Sequence, residues 1–299
     1  MKATALAIAA IVLMAAGCSG TADPSAEKRL EVVATTTFLA DLVRQAGAGR
    51  VDVSSIVPAG GEVHTFDPSP GDAARVAAAD LIVSNGLGLD DWLTDLASDA
   101  GSTARIVRVG EGLPDGTYIG SRGGETVNPH LWLDPELAIL YVERIADVLT
   151  VADPAGGAAY HEAVSDARTR FTELDRWATG RFAALPPDAR RLVSFHDALP
   201  YLARAYDLEI VGVVVSAPGQ EPSAGEVADL IDEIRRTAVP AIVSEVQFSD
   251  DLAATIAAET GATIVSDLYT DTLGDQPVDT YDGMIRWDVE RLAAALGGS

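Results

Sequence analysis

The segment that decides the architecture is residues 153–187, DPAGGAAYHEAVSDARTRFTELDRWATGRFAALPP. Asp153 and Pro154 offer an N-cap with proline at the first helical position, and nothing ends the helical pattern decisively until Pro186 and Pro187. Tyr160, Val164, Ala167, Phe171, Leu174 and Ala178 fall on one face of such a helix. About 30 residues at about 1.5 Å each make a rod of roughly 45 Å, longer than a crossover helix inside one domain needs to be. The segment therefore predicts a spacer between two lobes, with Gly156, Gly157 and Gly180 weakening its ends.

Outward from the rod, both flanks alternate short β-branched runs with amphipathic stretches, the rhythm of βαβ units. On the N-terminal side, 30–34, 51–57, 81–84 and 104–109 read as strands, and 38–46, 70–79 and 135–151 as helices. On the C-terminal side, 191–195, 209–215, 241–244 and 263–266 read as strands, and 199–206, 223–236, 250–259 and 281–296 as helices. The expected fold is α/β: two similar lobes, each a mostly parallel sheet flanked by helices, joined by one long rigid helix. The expected boundaries are 29–152 for the first lobe, 153–185 for the linking helix and 186–299 for the second, with no detectable sequence repeat between the lobes.

The beginning of the chain sets the compartment. Met1 and Lys2 precede an apolar stretch, Ala3 to Ala16, too short to span a bilayer but of the length of a signal h-region. It runs into Ala15-Ala16-Gly17-Cys18, which looks like the lipobox of bacterial lipoprotein signals. Residues 1–17 are thus expected to be a signal peptide, Cys18 a lipidated N-terminus, and 18–28 a flexible tether to the outer face of the membrane. Cys18 is the only cysteine among 299 residues, so the folded part has no disulfide, thiolate metal site or cysteine nucleophile. With 21 basic and 45 acidic residues the net charge is −24, which repels nucleic acid and draws cations.

Chemistry falls to histidine and carboxylates. Of four histidines, His64 and His196 follow predicted strands and His130 sits in the proline-bearing loop Val127-Asn128-Pro129-His130-Leu131-Trp132-Leu133-Asp134-Pro135. Ligands of open α/β sheets collect at the carboxyl ends of strands, so these three imidazoles can converge on a cleft between lobes. His161, on the spacer helix, reads as a surface residue. Imidazole with oxygen donors suits zinc, whose closed sites take four ligands. Asp271, after the last predicted strand, is the best carboxylate, although position alone does not separate it from Asp267, Asp275 and Asp279. Glu245, at a strand end, is either an acceptor for a ligand imidazole or a charge at a loop mouth. Glu62 reads as solvent-facing or a collector of cations, and Trp132 as packing beside the site.

Four ordered segments carry a resemblance. His64-Thr65-Phe66-Asp67-Pro68-Ser69-Pro70-Gly71-Asp72, Asn128 through Pro135, Phe195-His196-Asp197-Ala198 with Tyr201 and Tyr206, and Tyr269-Thr270-Asp271-Thr272-Leu273 resemble the ligand segments of the solute-binding lipoproteins of zinc and manganese ABC importers (cluster A-I, zinc-uptake type). Phe66 stands in a tyrosine slot, and the His-rich loop of many zinc members has no counterpart between Gly110 and Asn128. The resemblance implies two α/β lobes on a long helix, and His64, His130, His196 and Asp271 as ligands. It implies a carrier rather than an enzyme, with an ABC permease and its ATPase as partners. Some manganese members have glutamate in the third position, so His196 points to Zn2+, with Mn2+ as the alternative. A monomer is expected, and affinity falling as pH drops through the imidazole range near 6.5. A zinc hydrolase using Glu245 as base is a distant alternative, and adhesion, for which some relatives are named, another.

Overall fold

The computed structural model describes residues 29–120, 127–215 and 217–297. The leader, Cys18 and the tether lie outside them.

Two four-stranded parallel sheets form the frame. The first comprises β1 (Leu30–Ala34), β2 (Val51–Ser55), β3 (Leu81–Ser84) and β4 (Arg105–Arg108) in the order β2-β1-β3-β4. The second comprises β5 (Arg191–Ser194), β6 (Glu209–Val213), β7 (Ala241–Glu245) and β8 (Thr263–Leu268) in the order β6-β5-β7-β8. The two topologies are the same, which the sequence hides because no residue pattern repeats. Parallel strands need both faces covered. In the first lobe α2 (Pro70–Ala78) and α3 (Trp92–Asp99) cover the outer face over Val33, Ile56, Val76, Ile82 and Leu93. In the second, α7 (Ala224–Thr237) and α8 (Asp251–Thr260) do so over Val193, Ile234, Ile242 and Ile256.

The inner faces share one continuous core with α1 (Thr37–Ala46), α4 (Pro135–Ala152), α5 (Gly157–Ala183), α6 (Pro200–Tyr206) and α9 (Tyr281–Gly297). Side-chain caps start α2, α4 and α7. Ser69 and Asp72 form a capping box with Pro70 in the first turn, and Ser223 and Glu226 form another. Asp134 caps α4 by accepting from Glu136 N–H.

The rod differs from its prediction at its start. A single 3-10 turn, Pro154–Gly156, separates α4 from α5, which begins at Gly157 and runs 27 residues, about 40 Å. Asp153 makes no cap bond, because its carboxylate instead accepts from Arg50 Nε at 2.9 Å and the Tyr160 hydroxyl at 2.7 Å. The face read from the sequence is the buried one: Tyr160, Val164, Ala167, Phe171, Leu174 and Ala178 are all inside.

Candidate metal centre

Loops at the carboxyl ends of the strands bring four side chains together. His196 lies just beyond β5, Asp271 just beyond β8, and His64 in the loop between β2 and α2. His130 precedes a 3-10 turn, Leu131–Leu133, leading into α4. Nε2 of His130 is 3.3 Å from Nε2 of both His64 and His196. Asp271 Oδ2 lies 3.5 Å from His196 Nε2 and 3.8 Å from His64 Nε2, and its Oδ1 3.5 Å from His130 Nε2. One donor atom from each of the four lies within 4.8 Å of every other. Two side chains come from each lobe. His130, His196 and Asp271 are buried, whereas the His64 side chain keeps 17% of its surface exposed. His161 is exposed on α5 and is not part of this cluster.

The surroundings orient these groups. Glu245, fully buried, places Oε1 2.9 Å from His196 Nδ1, off the line of a straight N–H···O bond. An irregularity in the β7–β8 register between Val243 and Glu245 re-aims the strand end there. Gln247 Nε2 donates to Asp271 Oδ2 at 3.1 Å. Trp132 is fully buried, tilted against the His130 ring with centroids 5.2 Å apart, and its indole N–H donates to Thr270 carbonyl at 2.7 Å. Gly60, at φ +73°, turns its N–H to Thr272 Oγ1 at 2.9 Å, and Leu273 N–H reaches Thr37 Oγ1 at 2.6 Å. The Asp271 loop of the second lobe is therefore fastened by the first.

Glu62 departs from its solvent-facing reading. Its Oε1 accepts the His64 backbone N–H at 2.6 Å and its Oε2 is buried without a hydrogen-bond partner. Being two residues from His64, it is folded back under its own loop. Asn128, Gln247 and Thr37 had no sequence-level role. Asn128 alone carried a signal, standing two residues before His130 where a side-chain amide meets the following backbone.

Burial and charge set the protonation. His64 is pushed down to about 3 by burial and the neighbouring His196 charge, and His130 is held well below the usual histidine range by burial, His196 and His64. Burial also disfavours a charged His196, but the close charge of Glu245, with those of Asp271 and Glu62, more than offsets it and raises the ring to about 9. Asp271 rises to about 7 through burial, with Glu62 and Glu245 adding and His196 opposing. Two neutral imidazoles, one imidazolium and the Asp271 carboxyl thus face a single point, with the acids Glu245 and Glu62 behind them.

A family model described as "Zinc-uptake complex component A periplasmic" matches residues 32–295. The chain is 27% identical over 295 residues to the manganese ABC transporter substrate-binding lipoprotein PsaA of Streptococcus anginosus, covering 96% of this chain and 95% of that one. It is 31% identical over 282 residues to the iron-binding protein YfeA of Yersinia pestis, covering 90% and 87%. Among solved structures, the periplasmic zinc binding protein TroA from Treponema pallidum superposes with a TM-score of 0.83 at 25% identity, covering 90% of this chain and 99% of that one. The chain belongs to the periplasmic zinc-uptake component A family, and it is the metal-binding substrate carrier of an ABC importer, working with a permease and an ATPase and not an enzyme.

Proposed function

We propose that this protein captures Zn2+ outside the cytoplasm with His64, His130, His196 and Asp271 and hands it to its permease, held to the membrane through a lipidated Cys18 and docking as a monomer. The observation that carries the reading is the mutual spacing of the four donors. A regular tetrahedron with metal–donor bonds of about 2.0–2.1 Å has edges of about 3.3–3.4 Å. The 3.3 Å from His130 Nε2 to each of the other two imidazole nitrogens equals that edge, and the nearer Asp271 oxygen lies 3.5 to 3.8 Å from each ring, a small shift of the carboxylate away from it. Three imidazoles with one carboxylate is a zinc donor set, and four protein donors leave no open position for a reacting water. The lipid anchor draws support from relatives named as lipoproteins.

Manganese is the second reading. Relatives are named for it, and Asp271 turns one oxygen toward His130 and the other toward His64 and His196, so a five-donor set is sterically open. Manganese binds a given N/O site more weakly than the later divalent ions and prefers more oxygen ligands, which weighs toward zinc. Competition titration of the metal-free protein with Zn2+ and Mn2+ tests the choice. Zinc is expected to displace manganese, and tighter manganese binding overturns it.

A further inference from the structure

Asn128 lies outside the proposed ligand set, yet every polar group it owns is committed. Its N–H donates to Ile119 carbonyl at 2.9 Å and its carbonyl accepts from the Tyr201 hydroxyl at 2.9 Å. Its Oδ1 accepts twice from His130, from the backbone N–H at 3.1 Å and from ring Nδ1 at 3.0 Å. Its Nδ2 donates twice to Asp197 of the other lobe, to the carbonyl at 2.7 Å and to Oδ2 at 3.1 Å. The partners fix which amide atom is which, since only an oxygen can accept the His130 N–H and only a nitrogen can serve two Asp197 oxygens. That assignment puts the His130 ring proton on Nδ1 and leaves the Nε2 lone pair aimed at the site.

We infer that Asn128 is a two-handed positioning residue, whose amide oxygen sets the tautomer and angle of His130 while its amide nitrogen ties that segment to the residue following His196. The inference rests on the metal-site reading above. His130 and His196 come from opposite lobes, and a small parting of their rings loosens the hold of both on an ion between them. The Asn128–Asp197 tie joins the two backbones carrying those rings, so it slows release as well as shaping the site. Aspartate at this position keeps the acceptor for Nδ1 but has no N–H to give, and it sets a second negative charge against Asp197.

The two hands can be separated. Zinc affinity, the rate of zinc loss to a chelator, and the visible spectrum of bound cobalt(II), intense when tetrahedral, are measured for the wild type, Asn128→Asp and Asn128→Ala. Asn128→Ala is expected to lose about 10- to 100-fold in affinity with an altered cobalt spectrum. Asn128→Asp is expected to keep affinity within about tenfold and the wild-type spectrum. Both are expected to release zinc faster. The retained spectrum of Asn128→Asp also shows that the fold survives. An Asn128→Ala protein with wild-type affinity and spectrum, or an Asn128→Asp protein as weak as Asn128→Ala, overturns the role of the oxygen. Wild-type release from Asn128→Asp overturns that of the nitrogen. His130→Ala is the separate control: if it binds zinc like the wild type, the metal-site reading fails, whatever Asn128 does.

Discussion

Metal binding should displace a proton, and the pH at which it does so follows from the charges around His196. In the metal-free site the imidazolium of His196 answers Glu245, Asp271 and Glu62, which raise it to about 9. A ring nitrogen that ligates a metal must be unprotonated, so on the proposed ligand set an incoming metal should take the place of that proton. Between pH 7 and 9 one proton leaves per ion bound, and affinity rises about tenfold per pH unit, about 100-fold over the range. Above pH 9 it levels off. Below pH 7 Asp271, itself raised to about 7, also holds a proton, and the dependence steepens toward about 100-fold per unit. His64, at about 3, and His130, held well below the usual range, add nothing near neutrality. The loss of affinity thus begins about two and a half units above the 6.5 expected of an ordinary histidine. Titration calorimetry at pH 8 in two non-chelating buffers of different ionisation enthalpy reads the proton directly: the apparent enthalpy should shift by about one buffer ionisation per zinc. Glu245→Gln should abolish most of that shift by removing the charge that holds the proton. Identical enthalpies in the two buffers, or an affinity flat from pH 7 to 9, would refute the reasoning.

Trp132→Phe removes the indole donor and strands the buried Thr270 carbonyl, at about 2 kcal/mol, so the metal-free protein should melt about 3–4 °C lower and release zinc faster. Differential scanning fluorimetry and a chelator chase check both. His161→Ala should bind zinc like the wild type, while His130→Ala should lose affinity by orders of magnitude, and equal effects in an equilibrium titration would contradict the site. Small-angle scattering of metal-free and zinc-loaded protein should give nearly the same radius of gyration, and a large expansion on metal removal would contradict the shared core between the lobes.

What the sequence discloses is what periodicity encodes. The rod showed itself because the residues at its buried positions recur at helical spacing over many turns, and the strands because β-branched runs are bounded by turn residues. α3 carries no such signal, being only 8 residues long, following a Gly86-Leu87-Gly88 turn with φ positive at all three, and having no side-chain cap at Asp91. Among the carboxylates after β8, Asp271 was singled out but not separable from its neighbours. The structure separates it from Asp267 by partner, for Asp267 faces outward to Arg291 at 2.7 Å whereas Asp271 is buried beside three imidazoles. Least legible were the ties that hold the site. Thr37 and Leu273 are 236 positions apart, and no local pattern announces that one N–H will meet one hydroxyl across a domain boundary.

Those ties and the shared core divide the work of holding and releasing an ion. Phe38 stacks on Trp132 with centroids 4.2 Å apart, Phe171 of the rod packs on Tyr281 at 4.7 Å, and the Tyr281 hydroxyl donates to Trp132 carbonyl at 2.7 Å. All four rings are buried where the lobes meet the rod. Each large aromatic buries about 150–250 Å², so at about 25 cal/mol per Å² exposing even three of them costs on the order of 10–20 kcal/mol, as much as the stability of a whole domain. Wide clamshell opening is therefore too expensive for a docking partner to drive. The Asp271 loop is different. Its fastenings to the other lobe, Trp132 to Thr270, Gly60 to Thr272 and Thr37 to Leu273, are single hydrogen bonds of about 0.5–1.5 kcal/mol each, which a permease surface can replace with bonds of its own. On the proposed ligand set, an ion released this way should leave past His64, the one ring of the set that already meets solvent, while the rod and the core limit His130 and His196 to small movements.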